Sequence, residues 1–513
     1  MTQRSRPNIG LALLLIGLIA YIGGCKVQSE AQPLTFATAQ NPVGLKPADC
    51  WVEAQPGWPK MECYRMQVHE NHLAAQDRLV TFPLVIFRTP RRPASTNPVL
   101  HLGAGGPGAA MHLDSADSLA QILQDHDQFS LDQGRDLYLI DPRGSGLASP
   151  LLTCDRFVEH EVERLAQNLS FVEDLKSGDW DYIECIDYQL RQGIDFNHYN
   201  SAAIVHDIDA LRRATGVGQW VLVGVSYAAV YAQILDRYFP GSIESMILDS
   251  PAFPDRKLHH NYLRRVMAPY DMLFKYCGDE DGCSDPRESR QLQRAFWNLY
   301  HELNRSPLRV VVKNPYTGRR LPVVLNGERF LGAVSEGVYG SEIFRQLKHI
   351  LHDLEDGDTR SLYPYLKSYL VFLLDQTYGD LSAEAHYCHE TKPFTDFDLI
   401  RRLSDELPAG YIRATAKLSI DWPDNCAQMA VTAGAPDLAQ ALETDTPTLF
   451  LQGTLDTITP LSDVEARRES FSNGALLTFD LSHDVLGSST CAEALVADFV
   501  RTGVMQDKAV ACD

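Results

Sequence analysis

The sequence predicts a mostly parallel β-sheet flanked by helices, with a large, mainly helical insertion late in the chain. Three observations predict it. Short apolar, β-branched runs alternate with segments carrying apolar residues at helical spacing, the pattern of βαβ units. One such run, residues 220–225, passes directly into a helix through Gly224-Val225-Ser226-Tyr227-Ala228. Between the strand-like residues 245–248 and 448–451, the strand rhythm is largely lost for far longer than the roughly 30 residues a simple crossover needs.

At the N-terminus, Arg4 and Arg6 precede an apolar stretch, residues 9–22, which ends in Gly23-Gly24-Cys25. This is the charged, apolar and small-residue order of an export signal over residues 1–25. A cysteine after two small residues resembles a bacterial lipobox, although Ile22 stands where Leu is usual. That resemblance implies lipidation of Cys25 and an exported, membrane-anchored protein on the periplasmic or cell-surface side. An ordinary signal peptide or an uncleaved anchor helix is the alternative.

Cysteine usage agrees with export. Of eleven cysteines, Cys25 set aside, ten remain, an even number suited to an oxidising compartment. Pairing neighbours joins Cys50 to Cys63, Cys154 to Cys185, Cys277 to Cys283, Cys388 to Cys426 and Cys491 to Cys512, one connectivity among those the sequence allows. No C-x-x-C or clustered Cys/His spacing is present, so no metal and no cofactor is expected. The 513 residues are 45% hydrophobic and 22% charged, as in a globular protein with a substantial core. Net charge is -21 with no basic run to track phosphates, which argues against nucleic acid as a partner.

The core divides into a first part, residues 26–253, and a second, 446–513, around a mainly helical cap at 254–445. Two strand-like runs within 50–88, the second at 79–87, open the sheet as an antiparallel pair. Residues 98–102 form a strand running into Gly103-Ala104-Gly105-Gly106-Pro107-Gly108, where glycines let backbone amides face a substrate. Neither phosphate-loop glycine pattern is present. The strand at 136–140 leads to Asp141-Pro142-Arg143-Gly144-Ser145-Gly146, read as a structural turn rather than a catalytic one. Residues 202–214 form the helix before the elbow, with His206, Asp207 and Asp209 expected on a solvated face. Within the cap, 287–303 and 341–354 are amphipathic helices, and 308–312 and 321–325 are strands. Residues 475–479 are expected to be the last core strand.

The strand-to-helix junction at Ser226 has the form of a nucleophile elbow, a turn so tight that the residues two positions away must be small. Gly224 and Ala228 satisfy this, with Ala228 standing where glycine is commoner. A serine hydroxyl needs a base to take its proton, and the base needs an acid to fix its tautomer. In an α/β-hydrolase these follow the serine in the order acid, then histidine, on loops after late strands. Asp456 follows the strand at 448–451, and His483 is the only histidine beyond it. Asp480 and Asp484 are weaker candidates for the acid. The oxyanion donors are read as the amides of Tyr227 and Gly106, with Gly105 as the alternative to Gly106.

These motifs, GGPG (105–108), DPRGSG (141–146), GVSYA (224–228), LQGTLDTITP (451–460) and Ser482-His483, with Cys491 and a closing Cys512, resemble the proline iminopeptidase and tripeptidyl aminopeptidase family of secreted α/β-hydrolases. The resemblance runs from about Cys50 to the C-terminus and is loosest in the cap. It implies release of N-terminal residues or short fragments from peptides through an acyl-enzyme, with a cap carboxylate binding the substrate's α-amino group. Glu390 is placed for that role, and an exposed glutamate is the alternative. Ala104 departs from the family's usual histidine, which bears on oxyanion-loop packing. An esterase with the same triad, or a binding protein on a hydrolase scaffold, are the other readings.

Overall fold

The computed structural model describes residues 44–511 apart from 75–77, 92–96, 104, 258, 277–285, 408–412 and 414–423. The export signal at 1–25 with Cys25, and likewise Ala104, Cys277, Cys283 and Cys512, lie outside the described residues.

The strands are β1 (Gly44–Pro47), β2 (Lys60–His69), β3 (Leu79–Arg88), β4 (Val99–His101), β5 (Leu137–Ile140), β6 (Trp220–Val225), β7 (Ile243–Asp249), β8 (Leu308–Lys313), β9 (Arg320–Leu325), β10 (Thr448–Gly453), β11 (Gly474–Phe479) and β12 (Lys508–Val510). Ten of them form one sheet in the order β1-β2-β3-β5-β4-β6-β7-β10-β11-β12, and β8 pairs with β9 separately. The first three strands are antiparallel and those from β5 to β12 are parallel. This is the α/β-hydrolase fold.

Alternation along each strand divides the core between two faces. Trp220, Leu222, Met246, Leu248 and Phe450 face one way, under helices α4 (Ser201–Thr215) and α5 (Ala228–Tyr238). Val221, Val223, Ile247, Leu449 and Leu451 face the other, packed by the helices Ala116–His126 and Thr490–Thr502. Because both faces are covered, β5, β6 and β10 read as almost unbroken apolar runs.

Strands β7 and β10 are hydrogen-bonded neighbours, so residues 250–447 are an insertion between them. Its helices and the β8–β9 hairpin enclose a further apolar core around Phe296, Val312, Phe330, Phe344 and Leu347. Val158 and Leu165, from a helix far upstream, join this core. The buried Arg329 clamps that helix by donating to the carbonyls of Arg164 and Leu165.

Two expectations need correction. Residues 475–479 are not the last strand, because β12 pairs with β11 at the edge. It is three residues long and mostly exposed, so it carries no apolar run. His206, Asp207 and Asp209 are buried rather than solvated. Arg143, fully buried, donates from Nε and Nη2 to the two carboxylate oxygens of Asp207 at 2.7 and 2.6 Å. Asp209 pairs with Arg212 at 2.8 Å, and His206 packs edge-on against Phe239. Asp141 is structural as read, accepting the amides of Met111 and Leu147. Cys50–Cys63, Cys154–Cys185 and Cys388–Cys426 are disulfides, and Cys491 is also disulfide-bonded. They are those of a protein that folds in an oxidising compartment.

Candidate active site

Parallel register aligns the C-terminal ends of the central strands. Val225 lies opposite Asp249, Asp249 opposite Leu451, and Gly453 opposite Phe479, so the loops that follow emerge along one edge. Ser226, Asp456 and His483 all lie on those loops.

Ser226 has φ 55°, the left-handed conformation that a non-glycine residue holds at a cost of about 1–3 kcal/mol. A Cβ on Gly224 would sit 2.9 Å from the backbone N and Cα of Ala229, so the turn requires glycine there. Ala228 is accommodated in full burial. The elbow is held through its backbone: the Ser226 amide donates to the Asp249 carbonyl, and the Ser226 carbonyl accepts from Ala252, both at 2.9 Å. Among the described residues, Ser226 Oγ and the amides of Tyr227 and Gly106 have no hydrogen-bond partner. The glycine loop lies against Ser226, because a Cβ on Gly105 would stand 3.2 Å from Ser226 Cβ and 3.8 Å from its Oγ.

His483 Nδ1 lies 3.0 Å from Asp456 Oδ2, and both side chains are buried. With the proton on Nδ1, Nε2 is the acceptor available to a hydroxyl. Asp456 is fixed in turn by the amides of Ile458 and Thr459, both at 2.9 Å on Oδ1, and by Gln452 on Oδ2. Thr459 Oγ1 sits 2.8 Å from both Asp456 Oδ2 and the Ser250 carbonyl, and 3.2 Å from His483 Nδ1. Asp480 and Asp484 are engaged elsewhere, with Tyr276 and with the Gly487 amide.

Two supporting groups escaped the sequence reading, Thr459 and Asp249. The Asp249 carboxylate accepts the amides of Val485 and Leu486 at 3.0 and 2.7 Å, while its carbonyl holds Ser226. One residue thus ties the elbow to the histidine loop. Burial, then the charge of Asp484, pushes its carboxyl up to about 7. The only sequence signal for Asp249 was its place at a strand end beside the elbow.

Burial by itself lowers His483, but the hydrogen bond and charge of Asp456, with Asp249 and Asp484, outweigh it and raise the ring above 6.5. A base acts when neutral, so activity should fall with decreasing pH through a limb lying above pH 6.5. In Asp456→Asn the burial effect is left without its main opponent and the limb should move to lower pH. The same change should lower kcat by about 10⁴-fold through the wrong tautomer. A pH–rate profile of both proteins checks both expectations.

Glu390 is buried, against the exposed alternative. It accepts the Ser201 amide at 2.5 Å, the Ser201 hydroxyl at 2.6 Å and the Tyr227 hydroxyl at 3.0 Å. No cationic side chain pairs with it among the described residues. It lines a cavity of about 460 Å³ beside Tyr227, Val230, Phe253 and Ile458. Glu384, Cys388 and Cys426 cluster as metal donors do, but the two cysteines are consumed in a disulfide, so no metal fits there.

Residues 99–276 match the family model described as the alpha/beta hydrolase fold, and residues 414–512 the one described as TAP-like protein. The chain is 23% identical over 542 residues to Serine protease Hip1 of Mycobacterium tuberculosis, covering 98% of this chain and 96% of that protein. It is 25% identical over 185 residues to Putative hydrolase YuaR of Escherichia coli, covering 35% of each. Among solved structures, an alpha/beta hydrolase fold protein from Chitinophaga pinensis aligns at 12% identity with a TM-score of 0.36, covering 87% of this chain and 98% of that one. Together with the sheet topology, the family matches and the protease relative support a serine hydrolase similar to TAP-like proteins.

Proposed function

We propose that the chain is an exported serine exopeptidase releasing N-terminal residues or short fragments from peptides, of the amino- or tripeptidyl-aminopeptidase type. The observation that carries the chemistry is the buried Asp456–His483 pair on the sheet edge that also presents Ser226 in a left-handed turn. Ser226 attacks the scissile carbonyl, His483 takes its proton and passes it to the leaving amine, and Asp456 holds the histidine tautomer. The amides of Tyr227 and Gly106 receive the oxyanion. Residues 254–445 act as the cap, and Cys25 carries a lipid anchor.

Support for a free N-terminus as the recognised group comes from Glu390. It is a buried carboxylate held by neutral donors alone, beside the residue that follows the nucleophile. A substrate ammonium supplies the missing cation through a charge-assisted bond. A panel of short peptides, free or N-acetylated, should be cut only when free, with the fragment length read by mass spectrometry. Glu390→Gln should raise KM for free peptides roughly ten- to a hundredfold, the worth of a hydrogen bond to a charged group. Equal cleavage of acetylated peptides would instead favour the esterase or general acyl hydrolase reading.

A further inference from the structure

Residues 377–379 of the insertion cross the glycine loop beside Ser226. The Gly379 amide donates to the Gly108 carbonyl at 2.8 Å, and the Gly146 amide donates to the Thr377 carbonyl at 2.9 Å. These crossings leave no room for side chains. A Cβ on Gly108 would stand 2.4 Å from the Gly379 carbonyl oxygen, and one on Gly379 would stand 2.3 Å from that of Gly144. The segment is therefore latched to both the glycine loop and the turn behind it, with Tyr378 at its centre.

The Tyr378 hydroxyl is the nearest atom to a Cβ built on Gly106, at 4.0 Å, while the adjoining Gly105 abuts Ser226. Its ring packs edge-on against Phe372, at 5.5 Å between centroids. No described residue receives a hydrogen bond from it. Burial, then the charge of Asp380, raises the phenol well above its ordinary value, so it remains an O–H donor at any working pH. A donor fixed by backbone latches, unspent within the protein and lying beside Gly106, meets the requirement for preorganised stabilisation of developing negative charge.

We propose that Tyr378 is a catalytic residue whose hydroxyl donates a third hydrogen bond to the oxyanion, beside the amides of Tyr227 and Gly106. The inference rests on the serine-hydrolase reading above. As Ser226 Oγ bonds to the carbonyl carbon, its proton passes to His483 Nε2, the carbonyl π pair moves onto oxygen, and Tyr378 Oη–H donates to that oxygen. No proton leaves the tyrosine. The contact strengthens as charge develops, so it acts on kcat rather than on KM.

The test is Tyr378→Phe, which removes one oxygen that has no described partner and keeps the ring against Phe372. With p-nitrophenyl butyrate as probe, kcat should fall about 10²- to 10³-fold, as for loss of one oxyanion donor, with KM unchanged. The rate of labelling by a fluorophosphonate, whose phosphoryl oxygen occupies the same hole, should fall in parallel. The thermal midpoint should match wild type. Wild-type kcat in Tyr378→Phe, or a change confined to KM, overturns the assignment while leaving Ser226 as nucleophile. Lower kcat accompanied by a lowered thermal midpoint and unchanged labelling rate also overturns it. Failure of the wild-type protein to label at Ser226 overturns both this inference and the reading beneath it.

Discussion

Ser226→Ala should lose hydrolysis of every substrate by about 10⁴- to 10⁶-fold, the scale on which removal of a triad nucleophile acts. The fold should survive, because Ser226 Oγ has no hydrogen-bond partner among the described residues and its loss orphans nothing. The elbow is built from backbone bonds to Asp249 and Ala252, which the substitution leaves in place. Ser226→Gly sharpens the point. At φ 55° glycine relieves strain that both serine and alanine carry, so this variant should be equally inactive yet unfold at a higher temperature than Ser226→Ala. Activity assays and thermal denaturation of the two variants separate the catalytic cost of the hydroxyl from the conformational cost of the turn.

Gly453→Ala should be the most damaging single-methyl change near the site. The added Cβ would lie 2.0 Å from the Ser482 carbonyl oxygen and 2.4 Å from that of Leu481, both backbone atoms of the loop that carries His483. No side-chain rotation relieves such a contact, so the loop must move. Its register is set by the Leu455 amide donating to the Leu481 carbonyl at 3.0 Å and by the 3.0 Å bond between His483 and Asp456. A displacement near 1 Å of a catalytic group costs on the order of 10²-fold in rate. The expectation is a kcat reduced at least that far, KM little changed, and stability lowered by about 1–3 kcal/mol from overpacking. Steady-state kinetics and denaturant unfolding measure both, and wild-type kcat in this variant would mean that the loop contact does not hold the base.

What the sequence revealed follows from the range over which each signal acts. The elbow was legible because strand, small-residue turn and helix adjoin within residues 220–238. Asp456 and His483 were legible because each follows a strand with few competitors beyond it. The Arg143–Asp207 pair was not, since 64 positions separate an arginine read as part of a structural turn from a helical aspartate read as solvated. Whether Glu390 is buried was left open for the same reason, as its partners Ser201 and Tyr227 lie 189 and 163 positions away. Tyr378 carries no local pattern, Thr459 lies within the 451–460 motif without anything to mark its role, and Asp249 shows only its place at a strand end. Their roles arise only when the sheet edge gathers loops from distant strands.

The most direct measurement is to inactivate the protein with a fluorophosphonate, digest it and locate the added mass by tandem mass spectrometry. The account predicts one adduct, on Ser226, forming at wild-type speed only when His483 is intact and lost in His483→Ala. An adduct on a different serine, or unaltered labelling of Ser226 without His483, would contradict it.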